Sequence, residues 1–185
     1  MPGDDCVEQH VRAWLESFVV GLNLCPFARP VLKDGSLRLV ICRHSEPEAV
    51  RDQFLSEMDL LQSSPEAEVA TTLLVFPDAL GSFDEYLDFF DEAQELLILA
   101  GLEGLVQLAS FHPQYLFARE EPAAASHFSN RAPYPLIHLL REDMMERVLL
   151  DFPSPETIPQ QNISTLKKIG SKELAARWKG LFTTQ

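Results

Sequence analysis

Thr71-Thr72-Leu73-Leu74-Val75-Phe76-Pro77 is the stretch on which the fold class turns. A short uncharged run closed by proline reads as a strand buried on both faces, which a sheet covered by crossover helices requires. Upstream, Leu37 to Cys42 follows the tight-turn pair Asp34-Gly35 and reads as a strand. Between the two, Pro47 to Gln62 is helical in period, with Val50, Phe54, Met58 and Leu61 on one side. Downstream, Ser82 caps a helix with Glu85 at the capping-box position, Gly101 stops it near Ala100, and Leu105 to Phe111 forms a third strand. At the N-terminal end, Asp5 to Leu24 spaces Val7, Val11, Trp14, Leu15, Phe18, Val19 and Leu22 as one apolar helix face, closed by Asn23 and Cys25-Pro26. The alternation predicts one α/β domain over residues 1–151, a three-stranded or slightly larger sheet with crossover helices. A ferredoxin-like α+β sheet is the competing arrangement.

Beyond the third strand the pattern changes. His112 to Pro135 is a 24-residue stretch with little periodicity, and a loop of that length in a compact domain marks a lid, a binding loop or a disordered insert. Helix is expected again from Pro135, a favoured first position, to Leu150. Residues 152–185 read as a proline-punctuated linker, Phe152 to Gln161, and a basic helical segment, Ser164 to Phe182, broken at Gly170.

Composition narrows the function classes. The 185 residues are 46% hydrophobic and 23% charged, as in a packed globular protein. The formal net charge of −13 argues against nucleic acid and anionic membrane as partners. Between His44 and Glu103 stand 15 acids and one base, Arg51, so one block carries the whole excess. No lysine occurs between Lys33 and Lys167, so every cation of the central stretch is arginine, the better bidentate ligand for carboxylate or phosphate. Three cysteines without a C-x-x-C pair, no secretory leader pattern and no membrane-length apolar run point to a reducing cytoplasmic setting. A homo-oligomer stays open.

Ligands collect at the carboxyl ends of strands in open α/β sheets. Arg43-His44, Pro77-Asp78 and His112-Pro113 follow the three strands, and the long loop returns Asn130, Arg131 and Tyr134 toward the same edge. On the expected helix, His138, Arg141 and Glu142 would share a face, and its N-terminus would favour an anion. His112 is the first choice for proton transfer, the alternative being a turn histidine bonded to backbone. His138 is either a second acid–base group or a satisfied core histidine. Arg131 and Arg141, with Asn130, Arg43 and Tyr134, form the candidate substrate clamp; the alternative for the arginines is structural ion pairs. Cys25 is a candidate thiolate nucleophile or soft metal or haem ligand, needing an electropositive setting such as Arg29 or a loop histidine supplies, or else a small buried hydrophobe. His44, His112 and His138 with Asp78 or Glu142 could compose a metal site, but no short ligand spacing exists, and no phosphate-binding glycine loop is present. No metal and no cofactor are therefore expected.

Three motifs in order, Asn23-Leu24-Cys25-Pro26-Phe27-Ala28, Leu108-Ala109-Ser110-Phe111-His112-Pro113 and Asn130-Arg131-Ala132-Pro133-Tyr134-Pro135 with His138-Leu139-Leu140-Arg141-Glu142, together resemble the domain-of-unknown-function family fourteen-fifteen of bacteria and plants. The resemblance spans nearly the whole chain and implies no particular reaction. It leads one to expect serine where Ala132 stands, so no mechanism can use a hydroxyl there. The expectation is an enzyme using histidine acid–base chemistry in hydrolysis or group transfer on a small anionic phosphate or carboxylate metabolite. A non-catalytic anion- or partner-binding protein and a histidine-ligated metalloprotein are the alternatives.

Overall fold

The computed structural model describes residues 2–150 and 154–183. Its sheet has four strands, β1 (Leu37–Ile41), β2 (Thr71–Val75), β3 (Val106–Phe111) and β4 (Leu136–Arg141), in the order β1-β2-β4-β3. β1 and β2 are parallel, and β4 runs antiparallel to both β2 and β3. The class is α/β, as expected, while the order and the parallel β1–β2 pair depart from a ferredoxin-like sheet. All five residues of β2 are buried, so the run that decided the fold class is a central strand.

The fourth strand corrects the expected helix from Pro135. Leu136 to Arg141 is extended, and helix begins only at Glu142, as α5 (Glu142–Leu150). A central strand buries both faces, so its residues are apolar throughout and carry no period that separates strand from helix. His138 and Arg141 consequently point to opposite faces of the sheet rather than sharing a helix face, because side chains alternate along a strand.

Alternation builds two cores. Val40, Leu74, Ile137 and Leu139 face α3 (Pro47–Ser63) and α4 (Phe83–Leu99), where Phe54, Phe76, Tyr86 and Phe89 pack into one cluster. Leu39, Leu73, Val75, Leu136 and Phe111 face the other side, against α1 (Asp4–Trp14), a π-helical turn (Leu15–Val20) and α2 (Ala28–Asp34). The Ser82 cap forms as expected, its hydroxyl accepting from the Glu85 amide at 3.2 Å. α6 (Ile158–Ile169) and α7 (Ser171–Gly180) bury Leu166 and Leu174 in the α1-side cluster, so the basic C-terminal segment is built into that core. Phe152 and Pro153 of the expected linker lie outside the described residues.

Two local features shape the α1 side of the sheet. The expected single N-terminal helix widens into the π-helical turn, and Gly21 makes this close: a Cβ there would lie 2.5 Å from the Ser17 carbonyl oxygen. π-helical turns interrupt the regular ladder and cluster at functional sites. The long stretch after β3 is an ordered loop with a short 3-10 helix, Ala125–Ser129, whose His127 ties it back to the preceding part of the loop. This ring accepts from the Phe117 amide at 3.1 Å, and its Nε2 donates to the Glu121 carbonyl at 2.9 Å.

Candidate functional site

Two cavities meet on the α1 side of the sheet. The larger, about 680 Å³, is a cleft between the 112–135 loop, the end of β3 and α6. Phe111 and Phe117 form its apolar wall, Ser126, Ser129 and Asn130 its polar rim, and Asn162 of α6 its far side. The smaller, about 50 Å³, lies deeper, between the sheet and α1 and α2, walled by Trp14, Phe27, Val31, Leu73 and Leu140. A water needs roughly 10–15 Å³ of such space, so this annex holds only a few atoms. Val19 of the π-helical turn, Cys25 and Phe111 border both cavities. Cys25 therefore stands where the cleft passes into the annex.

The backbone after the π-helical turn places this thiol. Asn23 takes a left-handed conformation, φ 54°, that turns the chain back, and the amides of Phe27 and Ala28 then donate to the Cys25 sulfur. Burial raises the thiol's pKa, and the two amides oppose that rise because they favour the anion.

His138 closes the annex from below. Its Nε2 lies 2.6 Å from the Thr71 hydroxyl, which is also 2.6 Å from the Leu139 carbonyl. A carbonyl only accepts, so the single hydroxyl proton goes to Leu139 and Nε2–H donates to Thr71. The tautomer is thereby fixed, and among the described residues the Nδ1 lone pair has no hydrogen-bond partner. Burial lowers the imidazole pKa to about 4, so at neutral pH His138 is an uncharged acceptor in the same annex that the protonated Cys25 thiol borders.

Of the other expected site residues, Asn130 reaches the cleft. Its side-chain amide donates to the Ser110 carbonyl at 3.0 Å and its Oδ1 accepts from Ser129 at 2.8 Å, which fixes the rim to β3. Arg131, its neighbour, lies elsewhere, over the Phe128 ring at 4.8 Å and in a separate shallow depression with Ser171 and Lys172. Its Nε donates to the Tyr115 carbonyl at 3.3 Å, and burial lowers its pKa. Arg141 faces the α3 side, donating to the carbonyls of Leu61, Ser64 at 2.7 Å and Val69 at 3.1 Å. It caps the C-terminal end of α3, where a cation suits the helix dipole. The arginine pair thus makes neither a common clamp nor the structural ion pairs weighed against it.

His112 is fully buried, and neither ring nitrogen is free. Nδ1 accepts from the Gln114 amide at 3.0 Å and Nε2 donates to the Leu80 carbonyl at 3.2 Å. Leu80 carries φ 57°, an uncommon conformation for leucine, and His112 holds its carbonyl in place. The ring packs against Phe83 and Tyr86, and burial lowers its pKa. This geometry is that of the turn histidine, the alternative weighed for it from sequence. Arg43 is tied to Asp4 at 2.7 Å, Asp78 at 3.1 Å and the Pro2 carbonyl at 2.8 Å. Tyr134 bonds His10 at 2.8 Å. His44 is exposed, and among the described residues no three His, Cys, Asp or Glu side chains gather as a metal site. Likewise, no helix among them is long and apolar enough to cross a membrane.

The family described as "Protein of unknown function (DUF1415)" matches residues 6–176. The chain belongs to this family. No curated protein and no solved structure matches it. The three motifs that carry the DUF1415 resemblance meet in space: the first supplies Cys25, the second Phe111, and the third Asn130 and His138. Thr71, Val19 and the α6 wall were not foreseen as parts of a DUF1415 site. Thr71 had one available signal, its place in a buried strand, where a hydroxyl needs a partner. The α6 wall had none, because it depends on how the C-terminal segment docks.

Proposed function

We propose that the chain is an enzyme of acyl or related group transfer, with Cys25 as nucleophile and His138 as proton acceptor. The observation that carries this reading is the position of Cys25, the one thiol bordering both cavities, with His138 at the base of the annex. The Cys25 sulfur attacks an acyl carbon seated at the junction while its proton passes, by way of a water in the annex, to His138 Nδ1. The leaving group departs with that proton, and water or a second substrate resolves the thioester. Both groups are uncharged at rest, so the proton moves only once substrate has filled the cavity and excluded water. The amides of Phe27 and Ala28 favour the charge that develops on sulfur. Asn130, Ser126 and Ser129 give the substrate's polar end its hydrogen-bonding partners.

The test is a panel of small activated esters and thioesters with wild type, Cys25→Ser and His138→Gln. A hit turned over by wild type, with an acyl adduct trapped on Cys25, is the expected result. Equal turnover by Cys25→Ser overturns the proposal.

A second reading, a non-catalytic anion site, rests on Arg131. Its guanidinium is half-buried and has no carboxylate partner among the described residues, with Lys172 in the same depression. Buried cations of this kind are normally paired. On this reading phosphate or a small dicarboxylate raises the melting temperature of wild type and leaves that of Arg131→Gln unchanged.

A further inference from the structure

A second thiol lies outside the cleft, in a cluster of its own at the carboxyl end of the parallel strands. Cys6 sits in the first turn of α1, half-buried, with its sulfur 3.6 Å from Nε2 of His10 one turn later. His10 Nδ1 in turn lies 2.8 Å from the hydroxyl of Tyr134, which comes from the segment leading into β4. The imidazole is stacked on Tyr134, ring centroids 6.0 Å apart, and meets the edge of Phe182 at 5.0 Å. Three separated parts of the chain thus fix the orientation of one histidine. In the tautomer whose Nδ1–H donates to Tyr134, the Nε2 lone pair faces the thiol. This is the relation of nucleophile, base and orienting group that activates a cysteine.

The other thiols lack it. Cys42 is 1% exposed in the α3/α4 core, and His138, which shares the annex with Cys25, has its Nε2 on Thr71 instead. Burial lowers the His10 pKa, which keeps its acceptor lone pair available at neutral pH.

Charge selects the reagent. Asp4 and Asp5 stand on the same helix turn as Cys6, and the nearby Arg43 is spent on Asp4 and Asp78. The surroundings are net negative, so anionic electrophiles and thiolates are repelled and small neutral ones are not.

We propose that Cys6 is an oxidisable thiol whose substrate is a neutral hydroperoxide, with His10 as its base and Tyr134 as the positioning residue. The sulfur attacks one peroxide oxygen as its proton passes to His10 Nε2. Sulfur takes the terminal oxygen, so an S–O bond forms and the O–O bond breaks, and the departing alkoxide, or hydroxide from hydrogen peroxide, takes the proton from His10 and leaves as an alcohol or water. Sulfur loses two electrons, the peroxide gains them, and Cys6 becomes a sulfenic acid.

The experiment treats the full chain with substoichiometric hydrogen peroxide at neutral pH, traps sulfenic acid with dimedone and assigns the labelled cysteine by mass spectrometry. Cys6 is expected to label before Cys25 and Cys42, and about a hundredfold faster than Cys6 in His10→Gln, the low end of what a positioned base contributes. Tyr134→Phe keeps the ring and removes the hydroxyl; it is expected to slow labelling and to shift the pH profile of Cys6 alkylation. The groups that bear on that profile are Asp4, Asp5, Arg43, Asp78, His10 and Tyr134. Iodoacetamide is expected to outpace iodoacetate at Cys6 by more than it does in the urea-unfolded chain. Labelling as fast in His10→Gln or in Tyr134→Phe as in wild type overturns the proposal, as does a Cys6 no faster than the same thiol unfolded.

Discussion

The two faces of the sheet use the same strands to opposite ends. On the α3/α4 face, Phe54, Phe76, Tyr86, Ile137 and Leu139 fill the space completely enough to be fully buried, and the cleft and the annex lie across the sheet from them. On the α1 face, the π-helical turn, the short α2 and the ordered loop leave the cleft and annex open beside Cys25 and His138. Regular crossover helices make a solid layer, and irregular elements make room. The charge follows the same division, because the acidic block lies mainly on α3 and α4 and their flanks, behind the cavities. The net charge of −13 therefore describes the back of the molecule and says little about what enters the front.

Substitutions on either face put this contrast at risk. Phe54→Ala opens a hole in the packed face and is expected to cost roughly 3–5 kcal/mol in denaturant unfolding. A loss below about 1 kcal/mol would mean that this face is as loosely filled as the other. Next in size is a pH effect on the hollow face. His138 has a folded pKa of about 4 against an ordinary value of 6.5, so the unfolded chain binds the extra proton first as pH falls. Its contribution is complete above pH 6.5 and is lost as pH drops toward 4, on the order of 3 kcal/mol. His138→Leu should flatten the acid limb of the stability profile, and an unchanged limb would contradict the burial of this histidine.

Arg141→Met leaves the α3 carbonyls without their charged donor and is expected to cost about 2–3 kcal/mol without altering reactivity at Cys25. His112→Ala is expected to cost about as much, because the Gln114 amide and the Leu80 carbonyl lose their partner. If His112→Ala instead folds with wild-type stability and loses turnover, the histidine works on substrate after all. The smallest effect belongs to Val31→Ile, which adds one methyl to the wall of the annex. It should change stability by less than about 1.5 kcal/mol, where the same enlargement in a full core would strain it.

How legible this was in the sequence varies by element. β1, β2, β3, α3 and α4 could be read directly, the helices from their period and the strands as short runs of strand-forming residues, with stop signals such as Gly101 or Pro77. β4 could not, because Leu136-Ile137-His138-Leu139-Leu140 is apolar at nearly every position and the proline before it serves a strand as well as a helix. Taking β4 for a helix displaced His138 and Arg141 together and suggested a clamp that the sheet separates. His112 and the 24-residue loop were legible as unusual, but hydrogen bonds to the backbone cannot be read from residue identity. Cys25 and Asn130 were named from their chemistry and their places after the first helix and in the long loop, while the cavity that joins them depends on the π-helical turn and on α6. Cys6 and His10 stood at i and i+4 of an expected helix, a spacing that could have drawn attention to them.

Cys25 borders the cleft, while Cys42 on the packed face is 1% exposed. Native-state alkylation with a small neutral reagent, resolved by mass spectrometry into Cys6, Cys25 and Cys42, tests this directly. Cys25 should react under native conditions, more slowly when Ser129→Trp obstructs the cleft, while Cys42 reacts only on unfolding. Equal protection of Cys25 and Cys42 in the native protein would contradict it.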